Sequence, residues 1–218
     1  MKAVVFGATG ETGRRIVKAL LDRNIPVRAV VRDLAAAKSI LPAQAELVQG
    51  SVLDRASIDA ALAGCDVVLC ATGARPSLDF TGPLQVDYFG TKNLTDAAKA
   101  AGIDQLVLVS SLCVSRFLHP LNLFWLILFW KQQAERYLQT SGLTYTIVRP
   151  GGLKNDDRDT PVVMESADRL FEGSIPRSQV AAVCVEALFE PAARNKIVEI
   201  VARDDAPVRS WSSLFASV

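Results

Sequence analysis

Short apolar runs rich in Val, Ile and Leu recur along this chain of 218 residues, and between them apolar residues return at helical spacing. The runs are AVVF (3–6), VRAVV (27–31), AELVQ (45–49), DVVLCA (66–71), QLVLVS (105–110), TYTIV (144–148) and KIVEIV (196–201). Near-continuous apolar runs, rather than alternation, mark strands covered on both faces, as in a parallel sheet. Helical patterns fall between them at about 11–24, 54–63, 83–101, 120–141 and 177–189. This order predicts an α/β fold, a doubly wound and mostly parallel sheet of about seven strands with helices on both faces. No repeat or low-complexity linker divides the chain, so a single domain over 1–218 is expected, with a small substrate or lid portion within 150–218. The polar stretch KNDDRDTPVVMESADR, 154–169, follows a strand's carboxyl end, where open α/β sheets bind ligands. Lid and solvated loop both stay open for it.

Charge adds little direction: 24 basic residues nearly cancel 23 acidic ones, and the lack of a basic stripe argues against a nucleic-acid partner. Cys65, Cys70, Cys113 and Cys184 form no C-x-x-C and lie in apolar runs, so buried free thiols are expected and no metal site. KAVVF begins directly after Met1, which gives no sign of a targeting peptide and leads to an expected cytoplasmic location.

The candidate chemistry starts at GATGETG, 7–13, between the first strand and the first helix. Gly7 suits a tight turn, Gly10 close approach of a pyrophosphate, and Gly13 tight packing of helix on sheet. The helix N-terminus then offers N–H groups and a positive dipole end to phosphates, with Thr9, Glu11 and Thr12 as further lining. At the end of the second strand, Arg32 suits the 2′-phosphate of NADP; the neighbouring Asp33 keeps NAD open as the less favoured cofactor.

The spacing G-x-x-G-x-x-G resembles the extended and atypical branches of the short-chain dehydrogenase/reductase superfamily, which have a Rossmann fold. The resemblance implies further cofactor contacts at Ser51 and Val52 after strand three, Ala71-Thr72-Gly73 after strand four, and Pro150-Gly151-Gly152 within R-P-G-G. V-D-Y-F-G-T-K-N, 86–93, resembles the family's V-N-x-x-G-T-x-N helix, with Asp87 in place of its asparagine. W-K-x-x-A-E and R-P-G-G-L narrow the likeness, which covers nearly the whole chain. They resemble the dehydrogenase-like domain of the redox-sensor subunit of the chloroplast inner-envelope translocon, and its cyanobacterial and plant single-domain relatives. A photosynthetic source is implied. The Pro/Ser-rich tail with which that subunit docks ferredoxin-NADP reductase has no counterpart before Val218, so that partner is not carried over.

Carbonyl reduction in this family uses a tyrosine as proton donor, a lysine four residues later and a serine after strand five. Here Lys131 is in place, Ser110 and Ser111 are available with Ser111 taken as the candidate, and Ile127 occupies the tyrosine position. Tyr137, six residues beyond Lys131, is not a simple substitute, and Tyr88 and Tyr145 are possible donors without support. Lys131 is left with three readings: a ribose ligand, a surface partner of Glu135 four residues on, or a general acid itself.

FLHPLNLFWLILFW, 117–130, is too short for a bilayer span, which needs about 20 apolar residues, yet is apolar all round. Core with pocket wall, a homodimer contact, another protein partner and peripheral membrane contact all remain as readings of it. The chain is therefore expected to bind NADP(H) and to reduce a quinone- or flavin-like small molecule by hydride transfer. The alternative is a non-catalytic redox sensor or assembly factor.

Overall fold

The computed structural model describes residues 1–74, 80–156 and 158–218, apart from the side chain of Phe124. In the first half, β1 (Ala3–Phe6), α1 (Glu11–Asp22), β2 (Val27–Val31), α2 (Leu34–Lys38), β3 (Glu46–Gln49), α3 (Arg55–Leu62) and β4 (Val67–Cys70) alternate. A π-helical segment, Leu84–Gly90, runs into α4 (Thr91–Ala100), and β5 (Gln105–Val109), α5 (Asn122–Trp125) and α6 (Ile127–Thr140) follow. The remainder comprises β6 (Tyr145–Pro150), β7 (Gly152–Lys154), β8 (Val162–Ser166), β9 (Ser174–Pro176), α7 (Arg177–Glu186), β10 (Lys196–Ala202) and α8 (Trp211–Ala216).

Eight strands form one sheet in the order β3-β2-β1-β4-β5-β6-β10-β8, parallel except for β8, which pairs antiparallel with β10. The apolar runs work as two interleaved sets, because successive side chains of a strand point to opposite faces. Ala3, Val5, Ala29, Val31 and Val107 meet α1 and α7 through Ile16, Leu20, Val180 and Cys184. Val4, Phe6, Val30, Leu106 and Leu108 meet α3, α4 and α6 through Ile58, Leu62, Leu94 and Leu138. Strand order reverses beside β1, since β2 and β4 flank it on opposite sides, and this opens a crevice at the strands' carboxyl ends.

Several expectations need correction. The main sheet has eight strands rather than about seven, and β7 and β9 form a separate parallel pair. The extra strand, β8, lies inside the stretch read as a lid or solvated loop: Val162 and Met164 are buried and hold it on the sheet edge. Asp157, in the same stretch, is outside the described residues. The helix expected over 120–141 is broken at Leu126, whose φ of 52° is left-handed. Asn122 makes the break tolerable: its Oδ1 accepts from the N–H groups of Leu128 and Phe129 at 2.9 and 3.1 Å, capping α6 from outside. A short helix, α2, was not expected and is capped by Asp33. The C-terminal helix, α8, is capped by Ser210, whose side chain accepts from the Ser213 N–H. Cys70, Cys113 and Cys184 are buried free thiols, but Cys65 is only partly buried. Among the described residues no helix is long and apolar enough to cross a membrane.

Candidate functional site

At the carboxyl ends of β1 to β4 lies a cleft of about 250 Å³. Its floor is the glycine loop. Gly7 has a φ of +76°, and a side chain there would sit 2.6 Å from the carbonyl oxygen of Ala71. A side chain on Gly13 would come within 2.1 Å of the Gly7 carbonyl, so α1 starts hard against the turn that precedes it. Gly10 caps α1 without a side chain, leaving the first N–H groups with no side-chain acceptor. Unpaired N–H groups at a helix start, on a loop where no Cβ fits, make an anion cradle.

Of the expected cofactor contacts, Gly7, Thr9, Gly10, Arg32, Ser51, Val52, Ala71, Thr72 and Gly73 line this one cleft. Glu11, Thr12 and Gly13 do not. Glu11 turns along its helix to Arg14 and Arg15, at 2.6 and 2.9 Å, and the Arg15 hydrogen bond holds its carboxyl below the usual range. Thr12 is buried. Pro150, Gly151 and Gly152 also lie elsewhere. A side chain on Gly151 would meet the Gly173 carbonyl at 2.6 Å, and the Gly152 N–H donates to that same oxygen at 2.9 Å. These glycines let the small sheet approach β10.

The helix motif over 86–93 closes the cleft's wall. Gly90 leaves room for Val52, whose Cγ2 would be 2.6 Å from a Cβ there, and Asn93 donates to the Val52 carbonyl at 3.2 Å. Asp87, buried in the π-helical segment, does more than replace an asparagine. One carboxylate oxygen accepts from Lys131 Nζ at 2.7 Å, and the other from the Ala74 N–H at 3.2 Å. Burial would lower the Lys131 pKa; the Asp87 charge outweighs that and raises it above the ordinary value. The reading of Lys131 as a surface partner of Glu135 is therefore overturned, since both side chains have other partners.

Lys131, Asp87, Thr72, Thr91 and Ser110 surround a small recess that shares Thr72 with the cleft. The serine in the recess is Ser110, where Ser111 had been the candidate. Strand parity gives the reason: Leu106, Leu108 and Ser110 share the face toward α6. Ile127 begins α6 one turn before Lys131 and has no proton to give. Tyr137 donates to Asp96 at 2.6 Å on α4, and Tyr145 opens β6 at its amino end, away from the carboxyl-end cleft. Tyr88 packs on Phe89 and Trp130.

Behind the recess is a cluster the sequence did not announce. Arg149, buried, donates from Nη2 to Glu135 at 2.6 Å, and from Nη1 to Asp168 at 3.0 Å and Glu199 at 3.2 Å. Its pKa is raised: the carboxylates, Glu135 foremost, outweigh the opposing effect of burial. Glu199 also accepts from the N–H groups of Arg169 and Leu170, at 2.9 and 2.7 Å. Ser110 hydrogen-bonds to Glu135.

A family described as NAD(P)H-binding matches residues 7–191, from the glycine loop to just beyond α7. The chain belongs to that family. It is 49% identical to the chloroplastic protein At2g34460 of Arabidopsis thaliana, over all of this chain and 82% of that one. It is 36% identical to the chloroplastic protein TIC 62 of the same plant, over 98% of this chain but 38% of that longer one. Among solved structures, the anaerobillin reductase ChuY of Escherichia coli O157:H7 has a TM-score of 0.79 at 27% identity, over 95% of this chain and all of ChuY. The NAD(P)H-binding family thus includes reductase-like members, and the resemblance read from W-K-x-x-A-E and R-P-G-G-L agrees with these relatives. The expected cytoplasmic location is corrected: similar relatives bear the description chloroplastic.

Proposed function

We propose that the protein is an NADP(H)-dependent reductase that passes hydride to a quinone- or flavin-like acceptor without a tyrosine acid. One observation carries the reading: a glycine cradle for a dinucleotide adjoins a recess that keeps Lys131, while Ile127 takes the acid's position one turn earlier on α6. When bound, the nicotinamide supplies hydride. The protein's own residues then bind and orient. Gly7 and Gly10 admit phosphates, and Lys131, fixed by Asp87, still has two N–H donors for ribose hydroxyls. An acceptor whose reduced form is a stabilised anion needs no strong protein acid, which suits a site with none at that position.

Preference for NADP over NAD is supported by the division of labour after β2. Asp33 turns one carboxylate oxygen, Oδ1, to capping α2, where it accepts from Ala35 and Ala36 at 2.9 and 3.0 Å. Arg32 is exposed on the cleft and has no ion-pair partner among the described residues. It is free to meet a 2′-phosphate. NADPH oxidation by the purified protein, followed with quinones and flavins, should exceed NADH oxidation, and Arg32→Asp should reverse that order. No turnover above background with any acceptor would remove the reductase reading.

A second reading, a redox sensor that meets a protein or membrane, is favoured by the apolar segment before α6. Phe117, Leu118, Leu121 and Leu123 are 59, 92, 52 and 76% exposed. Sedimentation with vesicles under NADPH and under NADP⁺ tests it; equal partitioning, with no partner captured, would count against it.

A further inference from the structure

Of the groups around the recess, Ser110 has its hydrogen-bond direction set from behind. Its Oγ is within hydrogen-bond distance of Glu135 Oε1, and the two residues are 8% and 1% exposed. Glu135 is gripped by Arg149, whose Nε reaches both carboxylate oxygens at 3.1 Å while Nη2 reaches Oε2 at 2.6 Å. A forked grip of this kind holds Glu135 as a carboxylate. The other carboxylates on Arg149 do not weaken it: Glu199 is satisfied by two backbone N–H groups, and Asp168 is half-exposed to water.

A carboxylate can only accept. The Ser110 hydrogen is therefore directed at Glu135, and what Ser110 offers the recess is a pair of acceptor lone pairs. The recess is small, about 10 Å³, room for one water-sized group. Asp87, the carboxylate on the recess, is already engaged by Lys131 and the Ala74 N–H.

We propose that Ser110 is a specificity-determining residue that reads a hydrogen-bond donor, an N–H or O–H, on the bound acceptor molecule, with Glu135 as the positioning residue that fixes its direction. This reverses the duty expected of a serine after β5, which is to donate to a carbonyl. A bare carbonyl placed against Ser110 sets oxygen against oxygen. An N–H or O–H is matched. The inference rests on the reductase reading, which places a hydride acceptor beside Thr72 and Lys131, and it narrows the class of that acceptor.

The test uses a matched pair, 1,4-naphthoquinone and 2-amino-1,4-naphthoquinone. Their dissociation constants are measured by tryptophan fluorescence quenching in the presence of NADP⁺, with NADPH oxidation followed separately. The wild-type protein should hold the amino compound more tightly by about tenfold. Ser110→Ala should bring the two affinities together. In Glu135→Gln, Arg149 takes the amide oxygen and the amide N–H₂ faces Ser110, so the hydroxyl hydrogen turns into the recess and the preference should swing toward the plain quinone. If Glu135→Gln does not fold, as circular dichroism would reveal, Ser110→Ala decides alone. Equal wild-type affinities, no binding of either compound, or a Ser110→Ala protein with the wild-type ratio would each overturn the proposal. Absent turnover with intact binding preference would sink the reductase reading and leave the role of Ser110 standing.

Discussion

Two ion pairs meet α6 one turn apart, and they do opposite work. Lys131 and Asp87 form a single pair at the cleft's rim, with the lysine side chain 17% exposed. Arg149 and Glu135 lie in a dry interior, where one guanidinium serves three carboxylates and only Asp168 reaches solvent. The first pair leaves donors unspent and facing the recess. The second is satisfied from within, and its effect on the site passes through Ser110. Equal spacing on a helix therefore says nothing about equal purpose.

Breaking the interior pair should have the larger effect. Arg149→Met leaves Glu135 and Glu199 buried with no guanidinium, and a loss of about 3–5 kcal/mol is expected in urea unfolding. Folding that survives with under about 1 kcal/mol lost would show that water enters this cluster freely. Lys131→Met strands one buried carboxylate that keeps its backbone donor, so the stability cost should be smaller, about 1–3 kcal/mol. Its main effect should be a drop of roughly tenfold in NADPH affinity by fluorescence titration, because a charged donor is lost from the rim. The smallest effect is one of pH. The Lys131 pKa is raised in the fold, so its pairing stabilises fully below the ordinary value of 10.5 and is lost as pH climbs through the higher folded value. The stability difference between wild type and Lys131→Met should thus stay flat to about pH 10 and shrink above it. The difference for Arg149→Met should not move over that range, since the guanidinium does not titrate there.

Features written in neighbouring residues were legible in the sequence. The glycine loop and the buried strands depend on local spacing, and the fold follows from their order. Contacts made across long separations were not. Lys131 and Glu135 look like a helical pair, but Asp87 lies 44 residues from its lysine and Arg149 lies 14 from Glu135. Ser110 and Ser111 differ only in strand parity, which requires knowing that the ladder continues past β5 through the Ser110 N–H to Val148. β8 escaped notice because its three apolar residues are followed at once by Glu165 and Ser166, and only the edge of β10 gives them a place. The break at Leu126 has no Gly or Pro to announce it; the cap that permits it comes from Asn122.

The π-helical segment over Leu84–Gly90 makes backbone geometry as decisive here as residue identity. A wide turn of this kind carries one residue more than an α-helix would. Its five-residue hydrogen-bond spacing sets Asp87 four positions ahead of Thr91 while turning it through less than the roughly 400° that four α-helical steps would give. Tighten the segment to ordinary α-geometry without shortening it, and Asp87 swings relative to α4, away from Lys131 and from the Ala74 N–H, without being mutated. Delete one residue after Asp87, such as the exposed Phe89, and the tightening is absorbed, so losing a codon here disturbs the polar recess less than straightening the helix would.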